Sequence, residues 1–444
     1  MIFDYKDFAC AADFFPRYFN ILWSVNKDSY LRLEKEYDIK GISASAALDS
    51  IMQRVPKNYF FKMNSAQLDA ISYSECVFPA YRFILPDALI DDWLSIMDPH
   101  KEHCRDHSLH QPLTAYIVAK LLGYGDPTKA FILKNGDLLT ICTHYILSSP
   151  KTAYLREYFK SLYPDYKKIP KGIRFKLAQD IFYETAIISA LFHDMGYPWQ
   201  YIDRLNESIL AADFRLPADI QTQSKGILNM IENRLLIYPF YGYSLTSKKH
   251  PISTWEKNLL LLFDKSIHKT HGFPGSLAFI HLQDKIRLFP TEFDFNEAVC
   301  RFIYDWAAVG IMMHDMPKIY KGKGEKPENA FLRTSFEADP LSSLIATADI
   351  LEEFHRPSAK FTAPHDKNNI QVDFEYPCYQ TIMELKKDTL QISYVYKDDA
   401  QTAKNKRFRT SEIDNYFNPI HGFIDISSLG IKKVVAVSQT IKKL

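Results

Sequence analysis

The sequence predicts a mainly α-helical protein that ends in a small α+β region, and three observations carry that prediction. Apolar residues recur at helical spacing through most of the stretch from about 100 to 360. Gly is scarce at 15 of 444 residues, whereas Phe at 31 and Tyr at 27 are abundant, a balance that suits packed helices rather than loops. From about 370 the pattern changes to alternation, as in TIMELKKDTLQISYVY and GIKKVVAVS, which reads as strands.

Taken in order, residues 1–99 read as a mostly helical region, with SASAALDSIMQRV and PDALIDDWLSIM at amphipathic spacing. A helical core is expected over 100–367, with apolar helices at 110–122, 130–147, 174–195, 297–315 and 340–354. Pro112 places the start of the first near His110 or Gln111, because proline is best tolerated in an opening turn. Ala186 to Phe192 is apolar all round, so that helix should be central, and Gly196 reads as its stop. Residues 200–295 carry scattered aromatics and read as an insertion covering a central bundle. Basic or glycine-bearing turns at 246–251 and 318–327 interrupt the helices, and the α+β region occupies 368–444.

Composition removes several function classes. Lys and Arg number 54 and Asp and Glu 53, so the net charge of +1 gives no general attraction to nucleic acid or acidic membranes. Nucleic acid is therefore not indicated as a partner, although a local basic groove is compatible with the numbers. The six cysteines lie far apart without a CxxC pair, which argues against a disulfide framework or zinc knuckle. The first residues lack a signal-peptide pattern, and no stretch reaches the roughly 18 apolar residues of a membrane helix. A soluble cytoplasmic protein is the expectation; oligomeric state is not set by these features.

The chemistry-bearing residues fall in four segments. KEHCRDHSLHQ places His103, His107 and His110 at i, i+4 and i+7, one face if helical, and a solvated polar face is the competing reading. His193 and Asp194 end an apolar helix in ISALFHDMGYPW, where a carboxylate needs a positive partner such as a divalent ion. His314 shares an inward stripe with Ile303, Trp306, Ala307 and Ile311, whereas Asp315 falls off it and reads as a supporting residue. Asp349 lies on the apolar stripe of Leu341, Leu344, Ile345 and Ala348. A helix cap or a satisfied core histidine is the plain alternative at each place.

The order RDHSLHQ, ALFHDMGYP and IATADILEEF resembles the HD-domain superfamily of metal-dependent phosphohydrolases, over about 100–360. That resemblance implies an HD-like helical bundle around one or two divalent ions (Mg, Mn, Fe, Co or Ni). Carried over by residue, His193 and Asp194 match the namesake pair and Asp349 the final aspartate ligand. The first ligand is His107 by the HS form or His110 by the DH-x-x-H form, with a lean to His110. Members with two metals use extra histidines between the pair and the last aspartate, and His314 fits that role. The long interval from Asp194 to Asp349 departs from the pattern and requires the large insertion. HDMGYP differs from the HD-GYP signature of cyclic dinucleotide phosphodiesterases by its intervening residue.

The implied activity is hydrolysis of a phosphoester, on a nucleotide or related phosphorylated small molecule, by a metal-activated water. Asp194 would be indispensable, and His103 or His107 could protonate the leaving oxygen. Lys318, Lys321, Lys323 and Lys326 form a basic loop that could meet substrate phosphates, or could simply be a solvated turn. Two other readings stay open: an HD-like di-iron oxygenase, and a non-catalytic binding or scaffold protein using the C-terminal region for interaction.

Overall fold

The computed structural model describes residues 1–4, 107–123, 130–163, 166–197, 244–245, most of 271–280, 297–315, 332–353, 358–361, 370–373, 378–420 and 422–441. The helices expected before residue 100, most of the expected insertion and the turn at 318–327 lie outside the described residues. Helix predominates in what is described, with smaller sheets beside it.

Four helices build the core: α1 (His107–Leu122), α4 (Lys171–Phe192), α5 (Glu297–Met313) and α6 (Pro340–Leu351). Helix α4 packs against the other three and against α2 (Leu138–Ser148), which explains its composition. Its second half is buried without a break from Glu184 to Phe192, as an all-round apolar helix must be. Phe182 of α4 and Trp306 of α5 meet at 5.8 Å between ring centroids, with Phe302 at 5.4 Å from the tryptophan. Each such buried ring contributes about 1.5–3 kcal/mol by leaving water. Gly310 lets the helices close, since a Cβ there would lie 2.8 Å from Ser189 Oγ and 3.1 Å from Leu341 Cγ.

Two helix boundaries differ from expectation for local reasons. Helix α1 begins at His107, so Pro112 stands in its second turn and removes one ladder bond. The helix expected at 130–147 is shorter because a hairpin precedes it: β2 (Ile132–Leu133) and β3 (Gly136–Asp137) turn at Lys134 and Asn135. Gly136 there has φ of 128°, which suits a residue without Cβ. Asp137 then caps α2, accepting the Thr140 N–H at 2.8 Å. Helix α3 (Ala153–Leu162) follows and sends Leu155 and Phe159 into the core, Phe159 meeting Phe302 at 5.5 Å between ring centroids.

Helix α6 carries the last expected ligand and is buried on every side from Pro340 to Leu351. Asp339 caps it through the Ser342 N–H at 3.0 Å, and Pro340 occupies its first turn. It is entered from β5 (Leu332–Ser335), which lies between the short strands β4 (Ser244–Leu245) and β10 (Ile424–Asp425).

Strands β6 (Ser358–Phe361) and β7 (Ile370–Asp373) form a small ribbon. The alternating segment beyond it becomes the hairpin of β8 (Cys378–Lys386) and β9 (Thr389–Tyr396), the pairing that alternation implies. Helix α7 (Asp399–Phe417) leads back to β11 (Lys433–Thr440), which runs parallel to β9. The far edge is β1 (Ile2–Asp4), antiparallel to β8, so residues from the start of the chain complete a sheet near its end. This sheet shares the helical core: Met383 and Leu390 line one small apolar cavity with Leu121, Leu138 and Leu344. Among the described residues, no helix is long and apolar enough to cross a membrane.

Candidate metal centre

Both His-Asp pairs fall in the turn that immediately follows a buried helix, His193 and Asp194 after α4 and His314 and Asp315 after α5. Each histidine turns its Nδ1 back to its own helix. His193 Nδ1 lies 2.8 Å from the Ala190 carbonyl and His314 Nδ1 2.6 Å from the Ile311 carbonyl. Those acceptors favour a proton on Nδ1 and direct each Nε2 away from the helix.

Two further histidines complete the arrangement. His110 of α1 engages the Glu352 carboxylate through Nδ1, and its Nε2 lies 3.1 Å from His193 Nε2 and 3.1 Å from Asp349 Oδ1. His271 faces Asp315 Oδ2 with Nδ1 at 2.8 Å, and its Nε2 lies 3.0 Å from His314 Nε2. The Tyr197 ring stacks on His271 at 4.0 Å.

Asp194 stands between the two halves. Its Oδ2 is 3.4 Å from His110 Nε2, while Oδ1 is 2.9 Å from His271 Nε2, 3.3 Å from His193 Nε2 and 3.7 Å from His314 Nε2. His110, His193, His271, His314 and Asp194 are all buried, at 0 or 1% exposure, and Asp349 is 8% exposed. Imidazoles whose Nε2 atoms meet at hydrogen-bond distance around a carboxylate are satisfied by a shared proton or by a cation that both rings ligate. Two overlapping groups have ligand atoms close enough to hold an ion: His110, His193 and Asp349, and His193, Asp194 and His314. The donor set therefore fits divalent metal, with carbonyl and carboxylate oxygens behind each ring.

The electrostatics follow from this crowding. Burial works against ionisation of Asp194. The charges of His193 and His271, with bonds from His271 and His314, outweigh it and hold the carboxyl well below the usual range. Burial also opposes a charged His193, but Asp194 and Asp349 overcome it and raise its pKa. Burial, reinforced by His193 and His271, lowers that of His314 against its bond to Asp194.

Glycines set how closely these turns pack. A Cβ on Gly196 would lie 1.8 Å from the His271 carbonyl oxygen, and one on Gly272 would lie 2.8 Å from the Ile311 and Met312 carbonyls. The expectation that Gly196 ends the helix is thus corrected. It has no positive φ, the helix ends four residues earlier at Phe192, and what it supplies is space for His271.

Of the residues singled out in the sequence, His110, His193, Asp194, His314 and Asp349 meet in this cluster. His107 is the first residue of α1, with its side chain outside the described residues. His103, Lys318, Lys321, Lys323 and Lys326 also lie outside them. Sequence reasoning missed His271 and Glu352. His271 sits in THGFPG, inside the stretch read as a covering insertion, yet His271, Phe273, Phe279 and Ile280 are buried with the core. Its place between Asp194 and Asp349 was the available signal. Glu352 lies three residues after Asp349, hence on the same side of the helix end. No family model, curated protein or solved structure matches this chain.

Proposed function

We propose that the chain is an HD-type metal-dependent phosphohydrolase acting on a phosphoester, in a nucleotide or a related phosphorylated small molecule. The observation that carries this reading is the buried cluster of four imidazoles around Asp194, with Asp349 on the fourth core helix. It supports two positions: His110, His193, Asp349 and Asp194 Oδ2 at one, and Asp194 Oδ1, His271 and His314 at the other. Bound divalent ions supply Lewis acidity there and lower the pKa of a coordinated water from about 16 toward about 7.

The chain's own residues do the rest. Asp194 keeps its negative charge at neutral pH and offers one oxygen to each position. Glu352 engages His110 at Nδ1, while Asp315 lies 2.8 Å from His271 Nδ1 and accepts the His271 backbone N–H, an arrangement that turns both Nε2 atoms inward. His107, three residues before His110 at the start of α1, is suited by spacing to deliver a proton to the leaving oxygen. The lysines at 318, 321 and 323 follow Asp315 closely in sequence and are the candidates to meet substrate phosphates.

The nitrogen-rich donor set favours a second reading, a di-iron centre that activates oxygen. Imidazole suits iron, cobalt or nickel better than magnesium, which prefers oxygen ligands. Elemental analysis of the purified protein, with a phosphate-release screen and anaerobic iron reconstitution followed spectroscopically, separates the two. Phosphate release with several divalent ions and its loss in Asp194→Ala support hydrolysis. Full activity in Asp194→Ala, or turnover only with iron and oxygen, sinks it.

A further inference from the structure

The two glutamates that follow α6 serve different partners. Glu352 engages His110 Nδ1, whereas Glu353 pairs with Arg409, which comes from α7 in the C-terminal region. Arg409 is 1% exposed and also pairs with Glu412, one turn further along α7. Its guanidinium lies 5.3 Å from the centroid of the Tyr394 ring on β9. Tyr394 in turn donates its hydroxyl to the Ile350 carbonyl at 3.1 Å, in the last turn of α6. Arg409 and Tyr394 therefore grip the end of the helix that carries Asp349 and the two residues beyond it.

Stability alone is a weak reason for such an arrangement. Replacing a buried ion pair with well-packed apolar residues is often neutral or stabilising, because desolvation offsets the attraction. What a forked, buried guanidinium does supply is fixed geometry. Here that geometry is imposed one residue away from Glu352 and one helical turn beyond Asp349.

We propose that Arg409 is a positioning residue for the metal centre: by holding Glu353 it fixes Glu352, and through Glu352 the ring of His110. The C-terminal region is then a clamp on one of the two metal positions rather than a separate interaction module. This inference rests on the metal reading above, and it concerns the His110 position only. The other position, formed by Asp194, His271 and His314, meets this path at Asp194, whose Oδ2 lies 3.4 Å from His110 Nε2, while His271 and His314 are held by Asp315 and the Ile311 carbonyl.

The test is a Co2+ titration of the metal-free full chain, followed by calorimetry and visible absorption. His110→Ala and His314→Ala variants assign the two binding events. The variant carrying both Arg409→Met and Glu353→Met removes the fully buried pair, leaving only the partly exposed Glu412 without its arginine. It should weaken the His110 event about 10- to 100-fold, the range for supporting partners of a ligand, and leave the other event unchanged. Wild-type affinity at both events, or a parallel loss at both with a lowered melting temperature, overturns the clamp. Should that variant not fold, Arg409→Lys keeps the charge without the fork. It should show a smaller loss confined to the His110 event, and an unselective result or none overturns the clamp equally. A wild-type chain that takes up no Co2+ sinks the metal reading itself and the clamp with it.

Discussion

Asp315 Oδ2 lies 2.8 Å from His271 Nδ1 and also accepts the His271 backbone N–H at 3.1 Å. The second His-Asp pair is thereby divided in its work. His314 turns toward Asp194, while Asp315 holds a third histidine that does the same. The similarity of the two pairs in sequence thus conceals one centre, with Asp194 at its middle and Asp315 behind it.

Asp315→Asn should loosen His271 and weaken metal binding at the position it serves by about 10- to 100-fold, with the His110 position retained. Metal titration of the purified variant, referenced to His271→Ala, checks this. Equal loss at both positions would show that Asp315 acts on the fold instead.

Gly196→Ala forces a methyl group against the His271 carbonyl and the Gly275 amide, at 1.8 and 2.5 Å in the present geometry. Backbone must move to admit it, at a cost of about 1–3 kcal/mol, the usual range for overpacking. Denaturant unfolding should show that loss, and metal uptake at the His271 position should fall with it. A variant as stable and as metal-competent as wild type would contradict the packing described.

Removing metal should destabilise the whole core. An ion that binds the folded state at about 100 times its dissociation constant adds about 2.7 kcal/mol. Chelator should therefore lower the melting temperature, and readdition of Co2+ or Mn2+ should restore it. Asp194→Ala should melt at the same temperature with and without chelator.

Acid should act on a contact outside the centre as well. Glu337, just before α6, accepts from Lys151 Nζ at 2.7 Å and Ser149 Oγ at 2.9 Å, and chiefly the lysine bond lowers its pKa. A depressed carboxylate stabilises the fold above its unfolded pKa, and that contribution disappears as pH falls through the folded value. Glu337→Gln should thus cost a few tenths to about 1 kcal/mol at pH 7, as exposed pairs do, and progressively less as pH drops below about 4. Urea unfolding of both proteins at pH 7 and pH 3.5 measures the difference; a constant gap would refute the assignment.

Much of this molecule was readable one segment at a time. The unbroken apolar run before His193 announced a central helix, and α4 is one. Asp349 was conspicuous because it interrupts an apolar stripe, and α6 is buried on all sides. The hairpin before α2 was missed although Asn135 and Gly136 signalled it, because the apolar residues around them also fit a helical period. His271 was passed over for a different reason. No amphipathic pattern surrounds it, and its burial comes from Gly196, Gly272 and Gly275, which let distant turns close on it.

Local spacing along the chain is enough to place the four core helices and to bring each His-Asp pair to the end of a buried one, though not to show α3, α7 or the hairpin before α2. Burial of a charged residue on an apolar face already demands a partner, whatever the partner is. Which groups meet is settled by contacts between residues far apart in sequence. His110 to Glu352, His271 to Asp315, β1 to β8 and Glu353 to Arg409 each join separate elements of the fold. No periodicity encodes such a pairing. It exists only once the helices have packed and the side chains share a space from which water is excluded.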